Sequence, residues 1–316
     1  MQEPPPAQRR IAALTGATGF LGRTIAQALH DQGYSLRILT RPDVPPPVPA
    51  EVVVGRLADQ PALERLVEGA DVVIHTAGLI KARRPADFPP VNVEGARLMA
   101  AAAARMAPQA HFLLISSLSA RAPRISAYAA SKAAGEAAVR EVLAPERLTI
   151  VRPPAIYGPG DRETLALFRA IVRLPIVPAP GPGHARLALI HAADAAAQIA
   201  ALAGHPASGA VYALADARPE GYGWKEIVRT AGEALGRTPR MAPVPAAAIL
   251  AAGAAGSLIG RLGPAQIFTL GKAREAVHGD WSVGPEELAA QLPAPRFDLA
   301  RGFADAVAWY RTHHWL

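Results

Sequence analysis

The stretch Ile11-Ala12-Ala13-Leu14-Thr15-Gly16-Ala17-Thr18-Gly19-Phe20-Leu21-Gly22 decides how the chain is read. A short apolar run enters a turn with glycines at every third position, and a helical pattern opens at Phe20. Free backbone N–H groups and the positive end of a helix dipole at such a turn favour a pyrophosphate, and side chains on the glycines would block its approach. Gly16, Thr18, Gly19, Phe20, Leu21 and Gly22 are therefore the first candidate dinucleotide contacts.

Outward from this turn, short apolar runs alternate with longer amphipathic ones, the pattern of a parallel sheet with crossover helices. Phe20 to Asp31 reads as a helix with Ile25 and Leu29 on one face and Gly33 as its stop. Strands are expected at Ile11–Thr15, Tyr34–Thr40, Glu51–Val54, Asp71–His75, His111–Ser116 and Leu148–Arg152. Arg41 to Ala50 holds five prolines and reads as a surface loop. Asp59 is placed to cap a helix ending near Gly69, and Val91–Met106 and Tyr128–Leu143 have helical composition. The expectation is an α/β Rossmann-type doubly wound parallel sheet with a smaller C-terminal substrate lobe. Residues 1–156 with 184–215 form the dinucleotide-binding part, and 157–183 with 216–316 form the lobe.

Composition narrows the chemistry. No cysteine is present, so catalysis must use hydroxyl, imidazole, carboxylate or amine groups. The 33 basic and 26 acidic residues give a net charge of +7, but no Lys/Arg run of five occurs, and no nucleic-acid partner is expected. Met1 to Arg10 does not read as a signal peptide, so the expected location is cytoplasmic. Met241 to Gly260 carries no charge and has the length of a membrane span, yet Pro243, Pro245, Gly253 and Gly256 interrupt it. It is read as a helix packed on the second lobe, with a peripheral membrane contact through 241–260 as the alternative. The oligomeric state, monomer or homodimer, is open at this stage.

Two further motifs carry chemistry. The second strand ends at Thr40-Arg41 with no acid at its tip, and guanidinium groups at Arg37 and Arg41 would suit a 2'-phosphate, so NADP is favoured and NAD is the alternative. Tyr128 and Lys132 stand one helical turn apart, which puts phenol and ammonium on one face. Such an ammonium is expected to lower the phenol's pKa. Ser117, at the end of the fifth strand, is placed to donate to a carbonyl oxygen, with Ser116 and Ser119 as rivals.

With these motifs in order, the sequence resembles the extended short-chain dehydrogenase/reductase family of NAD-dependent epimerase/dehydratase type. The resemblance rests on Thr15–Gly22, His75-Thr76-Ala77-Gly78, Asn92-Val93-Glu94-Gly95, Ser116-Ser117, Tyr128 with Lys132, Arg152-Pro153-Pro154 and Ile156-Tyr157-Gly158-Pro159. It implies that Ser117, Tyr128 and Lys132 form the catalytic set with Asn92 in support, and that Ala77, Gly78, Pro153, Pro154 and Ile156 line the dinucleotide. His75, His191 and Asp194 read first as structural.

Departures from the family shape the substrate expectation. Only ten residues separate Ser117 from Tyr128, where sugar-nucleotide members carry a longer insertion, and Ala155 and Leu187 replace expected diphosphate contacts, with Arg186 beside the latter. Arg56 follows Gly55 where relatives place an acid that reads adenine. The leading expectation is an NAD(P)-dependent oxidoreductase that interconverts a carbonyl and a secondary alcohol on a small, fairly apolar molecule. Tyr128 would supply the proton and Ser117 would steady the oxyanion. The alternatives are a sugar-nucleotide 4-epimerase or dehydratase with recycled NAD, and a non-catalytic dinucleotide-binding subunit or redox sensor.

Overall fold

The computed structural model describes residues 10–180, 185–259 and 268–316. The stretch before Arg10, Gly181 to Gly183 of the Pro/Gly-rich segment, and Gly260 lie outside the described residues.

The first half alternates strand and helix as the sequence pattern predicts. It runs through β1 (Ile11–Thr15), α1 (Phe20–Asp31), β2 (Ser35–Thr40), β3 (Glu51–Val54), α2 (Gln60–Val67), β4 (Val72–His75), α3 (Gly95–Met106), β5 (His111–Ile115), α4 (Ala127–Arg140) and β6 (Leu148–Arg152). Asp59 caps α2 by accepting from the Ala62 N–H. The expected helix from Val91 begins instead as a π-helical turn, Pro90–Glu94, that runs into α3.

The second half is β7 (Ala155–Tyr157), α5 (Arg162–Arg173), β8 (Ile176–Pro180), β9 (Arg186–Leu187), β10 (Leu189–His191), α6 (Ala192–Gly204) and β11 (Val211–Ala213). It continues with α7 (Trp224–Leu235), β12 (Arg240–Val244), α8 (Ala246–Ile259), α9 (Leu270–Val277), β13 (Asp280–Trp281) and α10 (Leu299–Thr312).

Seven parallel strands form the central sheet in the order β11-β6-β5-β4-β1-β2-β3. Successive side chains on a strand point to opposite faces, so one strand feeds two cores. Ala12 and Leu14 pack with Ile25 and Leu29 of α1 and Ile199 and Ala203 of α6, whereas Ala13 packs with Leu63 and Leu66 of α2, Met99 of α3 and Val139 of α4. The chain leaves β1 toward β2 and β3, then returns to β4 on the other side. This reversal opens a crevice at the carboxyl ends of β1 and β4, where ligands of open α/β sheets bind.

A third apolar cluster joins Tyr157 to α5, α7 and α10, with the Phe168 and Phe303 rings edge-to-face at 5.3 Å. The uncharged segment resolves into β12 and the 14-residue α8, in which Ile249 and Gly253 are buried. Among the described residues no helix is long and apolar enough to cross a membrane.

Buried polar groups tie the elements together. Glu136 of α4, its side chain 2% exposed, takes a two-pronged ion pair from Arg152 of β6 at 2.8 and 2.6 Å and accepts from the Ser116 hydroxyl at 2.5 Å. Between β1 and β4, the Thr15 hydroxyl meets His75 Nδ1 at 2.9 Å. Burial, aided by the Lys132 ammonium, pushes the His75 imidazole down to about 3 from 6.5. His75 is thus a neutral packed residue, and His191 caps α6 through its Nδ1.

Two outcomes follow. Arg152→Met leaves a buried carboxylate without its main partner and should lower the unfolding free energy by about 3 kcal/mol, most of it recovered by adding Glu136→Gln, as read from urea titrations. His75 stays neutral in the native state where the unfolded chain takes up a proton, so its share of stability is lost as pH falls from 6.5 toward 3. Between pH 7 and pH 5 that share is about 2 kcal/mol. His75→Asn, which keeps an acceptor for Thr15, should remove that part of the pH dependence, leaving the contributions of His111, whose buried ring is pushed down to about 4, and of His191, which burial also lowers.

Candidate active site

The glycine turn sits at the carboxyl end of β1. Gly16 has φ of +75°, and a side-chain carbon there would stand 2.7 Å from the Ala77 backbone nitrogen, so the turn and the loop after β4 touch backbone to backbone. A side-chain carbon at Gly22 would collide with the Gly16 carbonyl, which lets α1 close onto the turn. Gly19 is the N-cap of α1 and offers no side-chain cap, so the first amide groups of the helix face the turn unmasked by a side chain. This cradle fits a pyrophosphate, with Thr18, Phe20 and Leu21 at its rim.

The other expected cofactor residues follow the strands in the same way. Ala77 and Gly78 follow β4, and Pro153 and Pro154 follow β6, where the Pro153 carbonyl accepts from the Leu118 N–H at 2.8 Å. Ile156 lies in β7, which pairs with β10. Arg41 is exposed at the tip of β2. Arg37 corrects the expectation drawn from its residue type. Its guanidinium pairs with Glu51 at 2.9 Å and donates to the Arg65, Leu66 and Glu68 carbonyls at the end of α2, and its side chain is only 13% exposed. It is a C-terminal helix cap and is not available to a cofactor phosphate.

Asn92 lies in the π-helical turn and is fully engaged. Its oxygen accepts from the Leu79 N–H at 2.7 Å, and its amide donates to the Leu79 carbonyl and the Ser131 hydroxyl, both at 2.9 Å. Ser131 in turn donates to the Tyr128 carbonyl at 2.7 Å. Asn92 thereby clamps the loop after β4 to the helix that carries Tyr128. Gly135 permits the close crossing, since a side-chain carbon there would run into the Asn92 carbonyl.

The three hydroxyls at the end of β5 separate by what they touch. Ser116 donates to Glu136, Ser119 contributes its backbone N–H to Ser117 Oγ at 3.2 Å, and the Ser117 hydroxyl lies beside the Tyr128 phenol. Lys132 donates to the Ile115 carbonyl at 2.7 Å, and burial, opposed by Glu136, pushes its pKa down to about 8. The ammonium keeps further N–H groups for another partner.

Tyr128 departs from the sequence expectation. Burial raises its pKa above the ordinary phenol value. Ser117 and then Lys272 act against burial, while Glu275 adds to it. The cation over its ring is thus Lys272 of α9, 5.5 Å from the centroid, and not Lys132. Lys272 and Glu275 were invisible to motif reading because they lie far along the chain, with no spacing to connect them to Tyr128. Among the described residues no His/Asp/Glu group is arranged to hold a metal ion.

Comparison with known proteins places the chain in a family. The model of the NAD dependent epimerase/dehydratase family matches residues 12–215. The chain is 47% identical over 313 residues to a ceramide reductase of Caulobacter vibrioides, covering 98% of this chain and 96% of that protein. It is 28% identical over 227 residues to the 4-hydroxy-2-methyl-3-oxo-4-farnesyl-3,4-dihydroquinoline-1-oxide ketoreductase of Stigmatella aurantiaca, covering 65% and 68% of the two chains. Its fold matches that of a Thermus thermophilus UDP-glucose 4-epimerase solved with NAD, at a TM-score of 0.70, 20% identity and coverage of 96% and 99%. The chain belongs to the NAD-dependent epimerase/dehydratase family and is an NAD(P)-dependent oxidoreductase of the extended short-chain dehydrogenase/reductase type.

Proposed function

We propose that the chain reduces the ketone of a long-chain lipid of the ceramide class to a secondary alcohol, with NADPH as the preferred hydride donor and NADH as the alternative. The observation that carries the chemistry is the Ser117 hydroxyl, just past the carboxyl end of β5, beside the Tyr128 phenol. The end-to-end likeness to a ceramide reductase supplies the substrate class. A nicotinamide does not reduce an amide carbonyl under mild conditions, so the reacting group in such a lipid is a ketone.

The protonation state fits a proton-donor role. A phenol whose pKa lies above its ordinary value keeps its proton at neutral pH, which suits a proton donor to a carbonyl oxygen. Ser117 donates a second hydrogen bond to that oxygen as charge develops on it. Gly16, Thr18, Gly19, Phe20, Leu21 and Gly22 would hold the pyrophosphate, and Ala77, Gly78, Pro153, Pro154 and Ile156 would line the rest of the dinucleotide. Lys132 would bind the nicotinamide ribose through its free N–H groups. When bound, the cofactor supplies the hydride. Arg41 and Arg56, both exposed just beyond the tips of β2 and β3, favour a 2'-phosphate.

An apolar substrate suits the C-terminal half of the chain. α8 carries no charge, leaves Leu258 and Ile259 exposed, and packs on α9, which reaches Tyr128 through Lys272. Contact between this face and a bilayer would bring a lipid to the site.

The test is NADPH oxidation with a short-acyl keto-ceramide. Tyr128→Phe should lower kcat by about a hundredfold or more, with NADPH affinity within about twofold of wild type. Undiminished turnover in that variant, or no net NADPH oxidation by the wild type, would contradict the reading. For cofactor choice, Arg41→Ala should raise KM for NADPH about tenfold and leave KM for NADH unchanged, whereas Arg37→Ala should lower stability without altering that ratio.

A further inference from the structure

We propose that Lys272, contributed by the C-terminal half of the chain, is a positioning residue for proton transfer whose ammonium, set over the Tyr128 ring, adjusts how readily that phenol gives up its proton. The inference rests on the reading of Tyr128 as the proton donor.

The placement is built. α9 begins against the N-cap of α4, where a side-chain carbon at Gly271 would lie 3.1 Å from Ser126 Cβ. Ser126 caps α4 by accepting from the Ala129 N–H at 3.0 Å and donates its hydroxyl to Glu275 at 2.5 Å. The other oxygen of Glu275 receives the Lys272 ammonium at 3.1 Å, and the Glu275 carbonyl accepts from the Trp281 indole at 2.9 Å. One carboxylate thus fixes both the start of the helix that carries Tyr128 and the cation above the ring. Burial disfavours the ammonium, but Glu275, Tyr128 and Glu163 outweigh it and hold its pKa above the ordinary lysine value, so it is charged at working pH.

The groups that face the phenol come from several elements. Ser117 follows β5, whereas Lys132, on the phenol's own helix, is turned to the Ile115 carbonyl. Lys272 and Glu275 come from α9, and Glu163 of α5 lies behind Lys272 and is paired with Lys81. The Phe88 ring, 6.1 Å away, supplies an apolar wall. In reduction, hydride from NADPH adds to the ketone carbon. The phenol O–H bond breaks as its proton passes to the carbonyl oxygen, and the resulting phenolate is reprotonated from water. Lys272 stabilises that phenolate, while Glu275 opposes it. The lobe that receives the substrate therefore also sets the acidity of the proton donor.

The experiment is the pH profile of kcat/KM for NADPH-dependent reduction of a short-acyl keto-ceramide. It is paired with an ultraviolet difference titration of the NADPH-loaded protein, wild type minus Tyr128→Phe, which reads the phenol without turnover. Lys272→Met should move the alkaline limb and the titration upward by about one pH unit and lower kcat about tenfold, and Lys272→Arg should restore both. Glu275→Gln, which keeps an acceptor for Ser126, should move them downward, and it carries the test if the Met variant does not fold. Lower activity with an unmoved limb and titration would reduce Lys272 to a structural contact and overturn the inference. Tyr128→Phe distinguishes the two levels: if it keeps full turnover, the functional reading fails; if it is inactive while Lys272→Met overlays wild type, this inference alone fails.

Discussion

The parallel pairing of β1 with β2 on one side and β4 on the other is the constraint from which the site follows. Because the chain departs from β1 in one direction and returns in the other, no crossover helix covers the ends of these two strands, and a crevice remains. The close backbone contact between Gly16 and Ala77 fixes its floor. Most groups assigned to chemistry or to the dinucleotide then lie just beyond a strand's carboxyl end, at the start of α1 or on α4, with Asn92 in the π-helical turn and Ile156 in β7 as the exceptions. The sheet acts as a ruler for the site.

Holding α4 in place is the second requirement, and it is met by polar contacts. Glu136 locks the helix to β5 and β6, Asn92 and Ser131 lock it to the loop after β4, and Ser126 locks its first turn to Glu275. A buried ion pair such as Glu136 with Arg152 adds little net stability compared with apolar packing. Its use here is geometric, because each bond has one satisfied arrangement and together they fix the rotation of Tyr128 about the helix axis. The same network links the helix to the C-terminal half of the chain, so the substrate binding proposed there and the proton donation proposed for Tyr128 would share a support.

Much of this was legible in the sequence wherever the signal is local. Strand alternation, the glycine spacing, the Asp59 cap and the pairing of Tyr128 with Lys132 on one helix face each depend on residues within a few positions of one another. Arg37 was misread because residue type indicates a guanidinium but not its direction, and direction is set by the carbonyl groups where α2 ends against β2. The choice among Ser116, Ser117 and Ser119 needed the position of Glu136, twenty residues away. Lys272 and Glu275 escaped entirely, since Ser126 and Glu275 are 149 residues apart and only the packing of α9 on α4 brings them together. The uncharged run from Met241 met the length of a span, but Pro245 separates β12 from α8, and among the described residues α8 is a helix of 14 residues, shorter than a span needs.

The account stands on hydride reaching a ketone carbon beside Tyr128. The most direct measurement is mass spectrometry of the product formed from a short-acyl keto-ceramide with NADPH deuterated at the transferable position of the nicotinamide. The account predicts one deuterium on the new carbinol carbon and one oxidised cofactor released per product. Product formed without deuterium, or deuterium returned to the cofactor with none oxidised, would contradict it.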